Sequence, residues 1–168
     1  DLNIVAGSAL DFLALPGIQS LDASKALLVH NGQWLTPDGS ETARLHCASL
    51  ALYPTVGSFP KAGTTAANFA HQLKMHGYNI ARFHYVDATL MTRRLQDFDY
   101  DPVQKDNWHS LLAALKKEGI YWIMDAMSSE NGAIGNVQPH RWVKMHDLRL
   151  RLYYDPVAQQ HWRDLVRT

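Results

Sequence analysis

The stretch HGYNIARFHYVD, residues 76–87, decides the fold of this chain. It has the pattern of a helix end, a glycine stop and a buried strand over about residues 78–85. Arg82, His84 and Asp87 come at the C-terminal end of that strand. Ligands of α/β enzymes bind at the carboxyl ends of strands. The stretch therefore predicts an α/β protein with a candidate site where this strand ends.

A helix is predicted immediately before Gly77. Four apolar residues fall at i, i+3, i+4 and i+7 and form one helical face: Ala66, Phe69, Ala70 and Leu73. Thr64 or Thr65 can cap the start of this helix, and Gly77 supplies its left-handed end. The helix, the glycine and the strand together form one repeat of a β/α protein.

The same arrangement follows once more along the chain. Asp101-Pro102 places an N-cap before a proline at the first helical position, and Gln104 completes a capping-box spacing. Gly119 ends this second helix, and IYWIMDA at residues 120–126 predicts a buried strand. The two repeats predict parallel strands that are joined by right-handed crossovers. The apolar face of the second helix comprises Trp108, Leu111, Leu112 and Leu115.

Two strand-like runs precede these repeats, at about residues 26–34 and 43–52. Between them lies TPDG, residues 36–39, whose Pro-Asp-Gly is strong turn chemistry. This pattern predicts a hairpin, or a hairpin that feeds directly into the first core strand.

A long segment without periodicity, residues 128–154, follows the second repeat. A loop of this length in a compact domain is usually functional. Its aromatic residues Trp142, Tyr153 and Tyr154 can stack on sugar faces, or they can cover the core. Asp155-Pro156 then predicts the start of a final helix that runs to the end of the chain.

The length of the chain limits the architecture that these elements can complete. The chain has 168 residues, whereas an eight-fold β/α barrel needs roughly 250. About three β/α units make either a small open α/β sheet or part of a larger barrel. We predict a lead-in and hairpin at residues 1–42, followed at residues 43–168 by the first units of an incomplete barrel.

The composition narrows the classes of function. The formal net charge is zero, so there is little electrostatic case for nucleic acid or for an anionic membrane surface. The longest apolar runs are far shorter than the roughly 18 residues of a membrane helix. The sequence shows no zinc-binding spacing, no glycine-rich nucleotide loop and no serine-hydrolase motif. We therefore expect no metal, no cofactor, no nucleic acid and no membrane partner, whereas a neutral polar ligand such as a sugar is permitted.

Strand alternation places Arg82 and His84 on the same face of their strand. Two such side chains need partners, and carboxylates and ligand supply them at the open end of a strand. Arg82 can position a catalytic carboxylate or a substrate hydroxyl, or it can form a structural salt bridge. Asp87 and Asp125 follow successive strands, where either can bind sugar hydroxyls, orient Arg82, or serve as a cap or loop residue.

Five segments resemble the N-terminal part of a clan A glycoside hydrolase of the cellulase-like family 5 type. The most specific is FPKAGTTAANFAHQLKMHGYNIARFHYVD, residues 59–87, which is similar to the first helix and second strand of that family. The other segments are LDF at 10–12, NGQWLTPDGSETARLHCASL at 31–50, KEGIYWIMDAMSS at 117–129 and LYYDPVAQQHWRDLV at 152–166.

The resemblance implies a (β/α)8 TIM barrel that cleaves β-linked polysaccharide with retention, through two glutamates about 5 Å apart. In the family these glutamates follow strands four and seven, and we expect both to be absent from this chain. Arg82 matches the arginine that supports the nucleophile, and His84 and Asp87 match the polar strand exit beneath the sugar site. Together with Asp125 and Trp142, they are the candidate substrate-binding residues.

The expected function is therefore that of a secreted or periplasmic glycosidase that degrades a polysaccharide such as β-glucan. The expected partners are the carbohydrate substrate and the complementary C-terminal part of the barrel, which covers the strand edges that a half barrel exposes. Two alternatives stay open: a catalytically inactive carbohydrate-binding barrel, and a small open α/β domain of unknown function.

Overall fold

The computed structural model describes residues 4–15, 18–51, 59–91, 99–125 and 151–167, which form a mixed α/β fold as the sequence predicts. Two short strands, β1 (Leu28–His30) and β2 (Gln33–Leu35), pair antiparallel. A parallel sheet has the order β3-β4-β5, with β3 (Cys47–Ala51), β4 (Ile80–His84) and β5 (Tyr121–Met124). The helices are a 3-10 helix (Phe12–Ala14), α1 (Thr64–Met75), α2 (Val86–Leu90), α3 (Pro102–Lys117) and α4 (Pro156–Arg167).

The hairpin turn lies at Asn31-Gly32, and its position corrects the prediction. We expected one strand over residues 26–34, but that run contains β1, the turn and the start of β2. Asn31 and Gly32 have φ values of 49° and 75°. A two-residue turn with both central φ values positive matches the right-handed twist of the strands, and Asn-Gly is the pair that accepts this conformation most readily.

The predicted turn at residues 36–39 is present, but it follows the hairpin instead of forming it. The Gly39 amide donates to the Thr36 carbonyl at 2.8 Å. The hydroxyls of Thr36 and Ser40 and the Ser40 amide all donate to the Asp38 carboxylate, and these bonds lower the pKa of Asp38 to about 2. The chain then enters β3, so the hairpin feeds into the first core strand, as one of our two alternatives predicted. Within β3, Cys47 is exposed and Ala48 is buried.

The first helix forms where the periodicity predicts it, but the predicted cap is wrong. The N-cap of α1 is Gly63, with a φ of 83° and no side-chain hydrogen bond to the helix, and Thr64 is already the first helical residue. The Gly63 amide donates to the Ser110 hydroxyl at 3.0 Å. The end of the helix is as predicted, since Gly77 has a φ of 81°.

The start of α3 matches the prediction in part. The Asp101 carboxylate accepts from the amides of Val103 and Gln104 at 2.9 and 3.2 Å, which is the predicted N-cap. The reciprocal arm of the capping box is missing, because the Asp101 amide donates to the Leu90 carbonyl at 2.7 Å instead. The side-chain amide oxygen of Gln104, Oε1, is buried and has no hydrogen-bond partner among the described residues.

The strand after Gly119 is less buried than its apolar sequence predicts. Trp122 and Ile123 in β5 are 44% and 46% exposed. The physical reason is the place of the strand in the sheet, because β5 pairs with β4 and lies at the edge of the described sheet. A strand at the edge has cross-strand side-chain neighbours on one side only.

The chain forms two compact units, and the first comprises residues 1–49, 61–82 and 110–123. Helix α1 and the part of α3 from residue 110 onward bury their apolar faces in a core of small and aliphatic side chains. The Asn79 side chain is also buried, and it accepts from the His46 amide and donates to the Arg44 carbonyl, both at 2.7 Å. The core residues include Leu21, Ala66, Ala70, Met75, Ala81, Leu111, Leu115 and Ile120.

The second unit comprises residues 50–60, 83–109 and 124–168, and its core contains an aromatic cluster beside aliphatic side chains such as Leu90 and Leu165. Trp108 meets Phe83 edge to face, with ring centroids 5.0 Å apart, and lies 4.9 Å from Phe59.

The final helix starts as predicted, because the Val157 amide donates to the Asp155 carboxylate at 2.8 Å. Most of the predicted loop at 128–154 falls outside the described residues. Within the described part of the chain, no helix has the length and apolar character of a membrane span.

Candidate functional site

A histidine and an aspartate meet where two parallel strands end. The His84 Nδ1 lies 2.6 Å from the Asp125 Oδ2, and the two side chains are 24% and 18% exposed. His84 is the last residue of β4, and Asp125 directly follows β5. The Asp125 amide donates to the Phe83 carbonyl at 3.1 Å, so the backbone itself brings the two strand exits together.

The residue after His84 turns the chain from β4 into α2. Tyr85 has a φ of 60°, a left-handed conformation that costs a non-glycine residue about 1 kcal/mol or more. Its carbonyl accepts two bonds of 2.9 Å, from the amide and from the hydroxyl of Thr89. These bonds fix the turn, and backbone strain of this kind occurs most often at functional sites.

Asp87 lies in the first turn of α2 and is almost completely buried, with 2% exposure. Its negative charge acts on Tyr100, whose pKa is raised first by burial and then by Asp87 and Asp164. The Tyr100 hydroxyl is itself buried and has no hydrogen-bond partner among the described residues. The sequence does not predict this interaction between Asp87 and Tyr100, because no pattern in the residues around Tyr100 signals its burial.

The remaining predicted site residues are not brought together by the described structure. Arg82 is exposed, and strand alternation puts it on the same face of β4 as His84. Trp142 lies outside the described residues. Tyr153 and Tyr154 are 90% and 71% exposed, so the expectation that they cover the core is wrong. Stacking of these rings on sugars stays a prediction.

The sequence placed His84 and Asp125 at the same edge of the sheet but did not pair them. The sequence offers Arg82 or sugar hydroxyls as partners for Asp125, and the structure gives it His84. The missing signal was the order of the strands, since only adjacent parallel strands put their exits within hydrogen-bond distance.

The chemistry of this site is that of hydrogen bonding and proton exchange. An ionised carboxylate only accepts hydrogen bonds, whereas histidine donates, accepts or does both. In the described part of the chain, no three His, Cys, Asp or Glu side chains are grouped to hold a metal ion. Comparison of the chain with known protein families, with characterised proteins and with solved structures found no match.

Proposed function

We propose that the chain is the N-terminal part of a (β/α)8 barrel whose function is to hydrolyse a β-linked polysaccharide, such as β-glucan, with retention. The observation that carries the proposal is the His84–Asp125 pair at the exits of adjacent parallel strands. In β/α barrels this edge holds the ligand, because the loops that follow the strands converge there. The alternation of parallel strands with α1 and α3 agrees with such a barrel.

The polar groups at this edge suit a neutral sugar. Sugar hydroxyls both donate and accept hydrogen bonds, and His84 and Asp125 offer matching groups that are still partly exposed. Because Asp87 is buried, we assign it a supporting role beneath the site instead of direct contact with the sugar. Trp142 and the exposed Tyr153 and Tyr154 are the candidates for stacking on sugar rings.

In this proposal, the reaction uses two glutamates from later strands of the barrel. Their carboxyl groups lie about 5 Å apart: one protonates the leaving oxygen while the other attacks the anomeric carbon and forms a covalent glycosyl-enzyme. A water molecule, deprotonated by the first glutamate, then displaces the second and releases the sugar with net retention. Arg82 acts on the nucleophile as a positioning residue, since a guanidinium nearby keeps a carboxylate ionised and oriented. The half-exposed Trp122 and Ile123 support a further strand beside β5, which the complementary part of the barrel would supply.

The test is a hydrolysis assay of the full-length protein on a panel of neutral β-glucans, with the product anomer followed by NMR. We expect the β anomer to appear first. Arg82→Ala should lower kcat by about 100-fold or more, the scale of losing one group that acts in the transition state. His71→Ala is the matched control, because His71 lies on the exposed side of α1 and should leave kcat unchanged.

Two outcomes would contradict the proposal. Initial release of the α anomer would exclude retention, and equal activity of Arg82→Ala and wild type would remove the assigned role of Arg82. Saccharide binding without any turnover would instead favour the catalytically inactive carbohydrate-binding barrel.

A further inference from the structure

We infer that Asp125 is a positioning residue that fixes the tautomer of His84, so that the His84 Nε2 becomes a hydrogen-bond acceptor for a hydroxyl group of a neutral ligand. The identity of that ligand as a sugar rests on the proposed function. The tautomer itself does not, since it follows from the contact of His84 with an ionised Asp125.

In the neutral form of His84, the short contact determines which ring nitrogen carries the proton. The Nδ1–Oδ2 distance of 2.6 Å is that of a strong hydrogen bond. An ionised carboxylate has no proton to give, so Nδ1 must be the donor. A neutral imidazole with its proton on Nδ1 has its lone pair on Nε2. Asp125 therefore selects the form of His84 that accepts through Nε2.

The backbone holds this geometry in place. The Asp125 amide donates to the Phe83 carbonyl, which belongs to the residue before His84. Phe83 is fully buried, with its ring against Trp108, so this part of β4 is anchored in the core of its unit. The two side chains consequently leave adjacent strands at fixed points, and little freedom remains to be lost when a ligand binds.

A second histidine–carboxylate pair lies elsewhere in the chain and has a longer contact than His84 and Asp125. The His71 Nδ1 lies 3.4 Å from the Glu118 Oε1, and the side chains are 49% and 29% exposed. A contact of this length between groups that water reaches is weak, and water competes with it. It has too little strength to select one tautomer of His71, which makes the pair an internal control.

The charge of Asp125 also limits the class of ligand. A carboxylate held against His84 favours groups that donate, such as hydroxyls, and repels carboxylate or sulfate groups of a charged sugar. The inference therefore names a neutral, hydroxyl-rich saccharide and disfavours uronic acid or sulfated polymers.

The first experiment reads the tautomer directly. Two-bond proton–nitrogen NMR correlations of the full-length protein labelled with nitrogen-15, in mildly alkaline buffer, distinguish a protonated from an unprotonated ring nitrogen. We expect His84 to carry its proton on Nδ1 in the wild type and in Asp125→Asn, whose amide oxygen still accepts. Asp125→Ala should shift His84 towards the Nε2–H form, while Glu118→Ala should leave the tautomer equilibrium of His71 unchanged. An Nε2–H form of His84 in the wild type would overturn the inference, and this measurement does not depend on any variant being folded.

The second experiment measures saccharide binding by calorimetry with neutral β-glucan oligosaccharides and their uronic acid counterparts. Asp125→Ala should bind the neutral oligosaccharide roughly three to ten times more weakly, the effect of one hydrogen bond, while Asp125→Asn should retain most of the affinity. Asp125→Asn should also bind the charged oligosaccharide better than the wild type does. Equal affinities of Asp125→Ala and wild type would overturn the role of Nε2 in binding. If no saccharide binds although the tautomer is as expected, the proposed function and the ligand fail while the positioning role of Asp125 stands.

Discussion

The two β/α repeats, α1–Gly77–β4 and α3–Gly119–β5, share one sequence plan and differ in how their strands are packed. Both helices end at a left-handed glycine, with φ values of 81° and 73°. In β4, Ala81 and Phe83 are fully buried, whereas Trp122 in β5 is 44% exposed. The local signals thus determine where a helix or strand begins and ends. The neighbours of a strand in the sheet determine how deeply that strand is buried.

The two repeats also differ at the start of their strands. In each repeat, the second residue after the glycine forms hydrogen bonds with an earlier segment of the chain. In the first repeat, the buried Asn79 side chain bonds to the backbone of Arg44 and His46. In the second repeat, the partly exposed Tyr121 hydroxyl lies 3.0 and 2.7 Å from the carbonyls of Asp22 and Lys25. The two repeats therefore make similar connections with different chemical groups. Substitutions that remove these groups should lower the free energy of unfolding by different amounts.

The largest effect is expected from Gly119→Ala. A methyl group at this position would lie 2.2 Å from the Leu21 carbonyl oxygen, and backbone atoms cannot move aside cheaply. Together with the positive φ, this clash should lower the free energy of unfolding by about 3 kcal/mol or more, measured by urea denaturation. Gly32→Ala is the matched control, since its φ is 75° and no atom lies within 4 Å of the added methyl. Equal losses for both variants would show that the clash contributes nothing.

Asn79→Ala should have the next largest effect. The variant removes two hydrogen bonds of 2.7 Å from a side chain that is 2% exposed. The backbone groups of Arg44 and His46 would lose their partner, so we expect a loss of about 2 to 3 kcal/mol in the free energy of unfolding. A loss below about 0.5 kcal/mol would mean that water replaces the amide without cost.

Gly77→Ala should cost less than Gly119→Ala although the two φ values are similar. The added methyl would lie 3.0 Å from the Ile18 Cδ1, the far end of a flexible side chain. Ile18 can rotate away, which leaves mainly the conformational cost of about 1 to 2 kcal/mol. Both losses in the free energy of unfolding are measured in the same urea series, and their ratio shows how far the two repeats differ. A larger loss for Gly77→Ala than for Gly119→Ala would contradict this prediction.

Tyr121→Phe should have the smallest effect, and the effect should depend on pH. At neutral pH, losing the hydroxyl should cost about 0.5 to 1 kcal/mol. Burial, followed by the charge of Asp22, raises the pKa of Tyr121 in the folded chain. A raised tyrosine pKa stabilises the fold fully below the unfolded value of about 10, and this contribution is lost as the pH rises through the folded pKa. The difference in stability between wild type and variant should therefore shrink above about pH 10, and a gap that widens there would contradict the assigned hydrogen bonds.

Local signals predicted the parts of the fold that depend on a few neighbouring residues. Gly77 and Gly119 end their helices as predicted, and the Asp-Pro pairs at 101–102 and 155–156 start theirs. Asn31-Gly32 is a local signal of the same kind for the hairpin turn, whereas Pro-Asp-Gly forms a separate turn after the hairpin. The cap of α1 failed because Gly63 occupies the position that the threonines were expected to fill.

Features that depend on sheet order could not be predicted from the sequence. The exposure of Ile123 follows from the edge position of β5, and the contact of His84 with Asp125 follows from the adjacency of β4 and β5. The left-handed Tyr85 runs against the preference of its residue type, so propensity argues against it. The sequence thus places His84 and Asp125 where neighbouring strands end, but it does not predict their contact.

The alternation of exposed Cys47 with buried Ala48 at the start of β3 has a practical consequence. Cys47 is the one cysteine of the whole chain, and its side chain is accessible. A single alkylating reagent therefore marks a single, known position without any engineering of the sequence. If further strands and helices close over this face of the sheet, the thiol becomes protected, and the rate of alkylation turns into a chemical footprint of that closure.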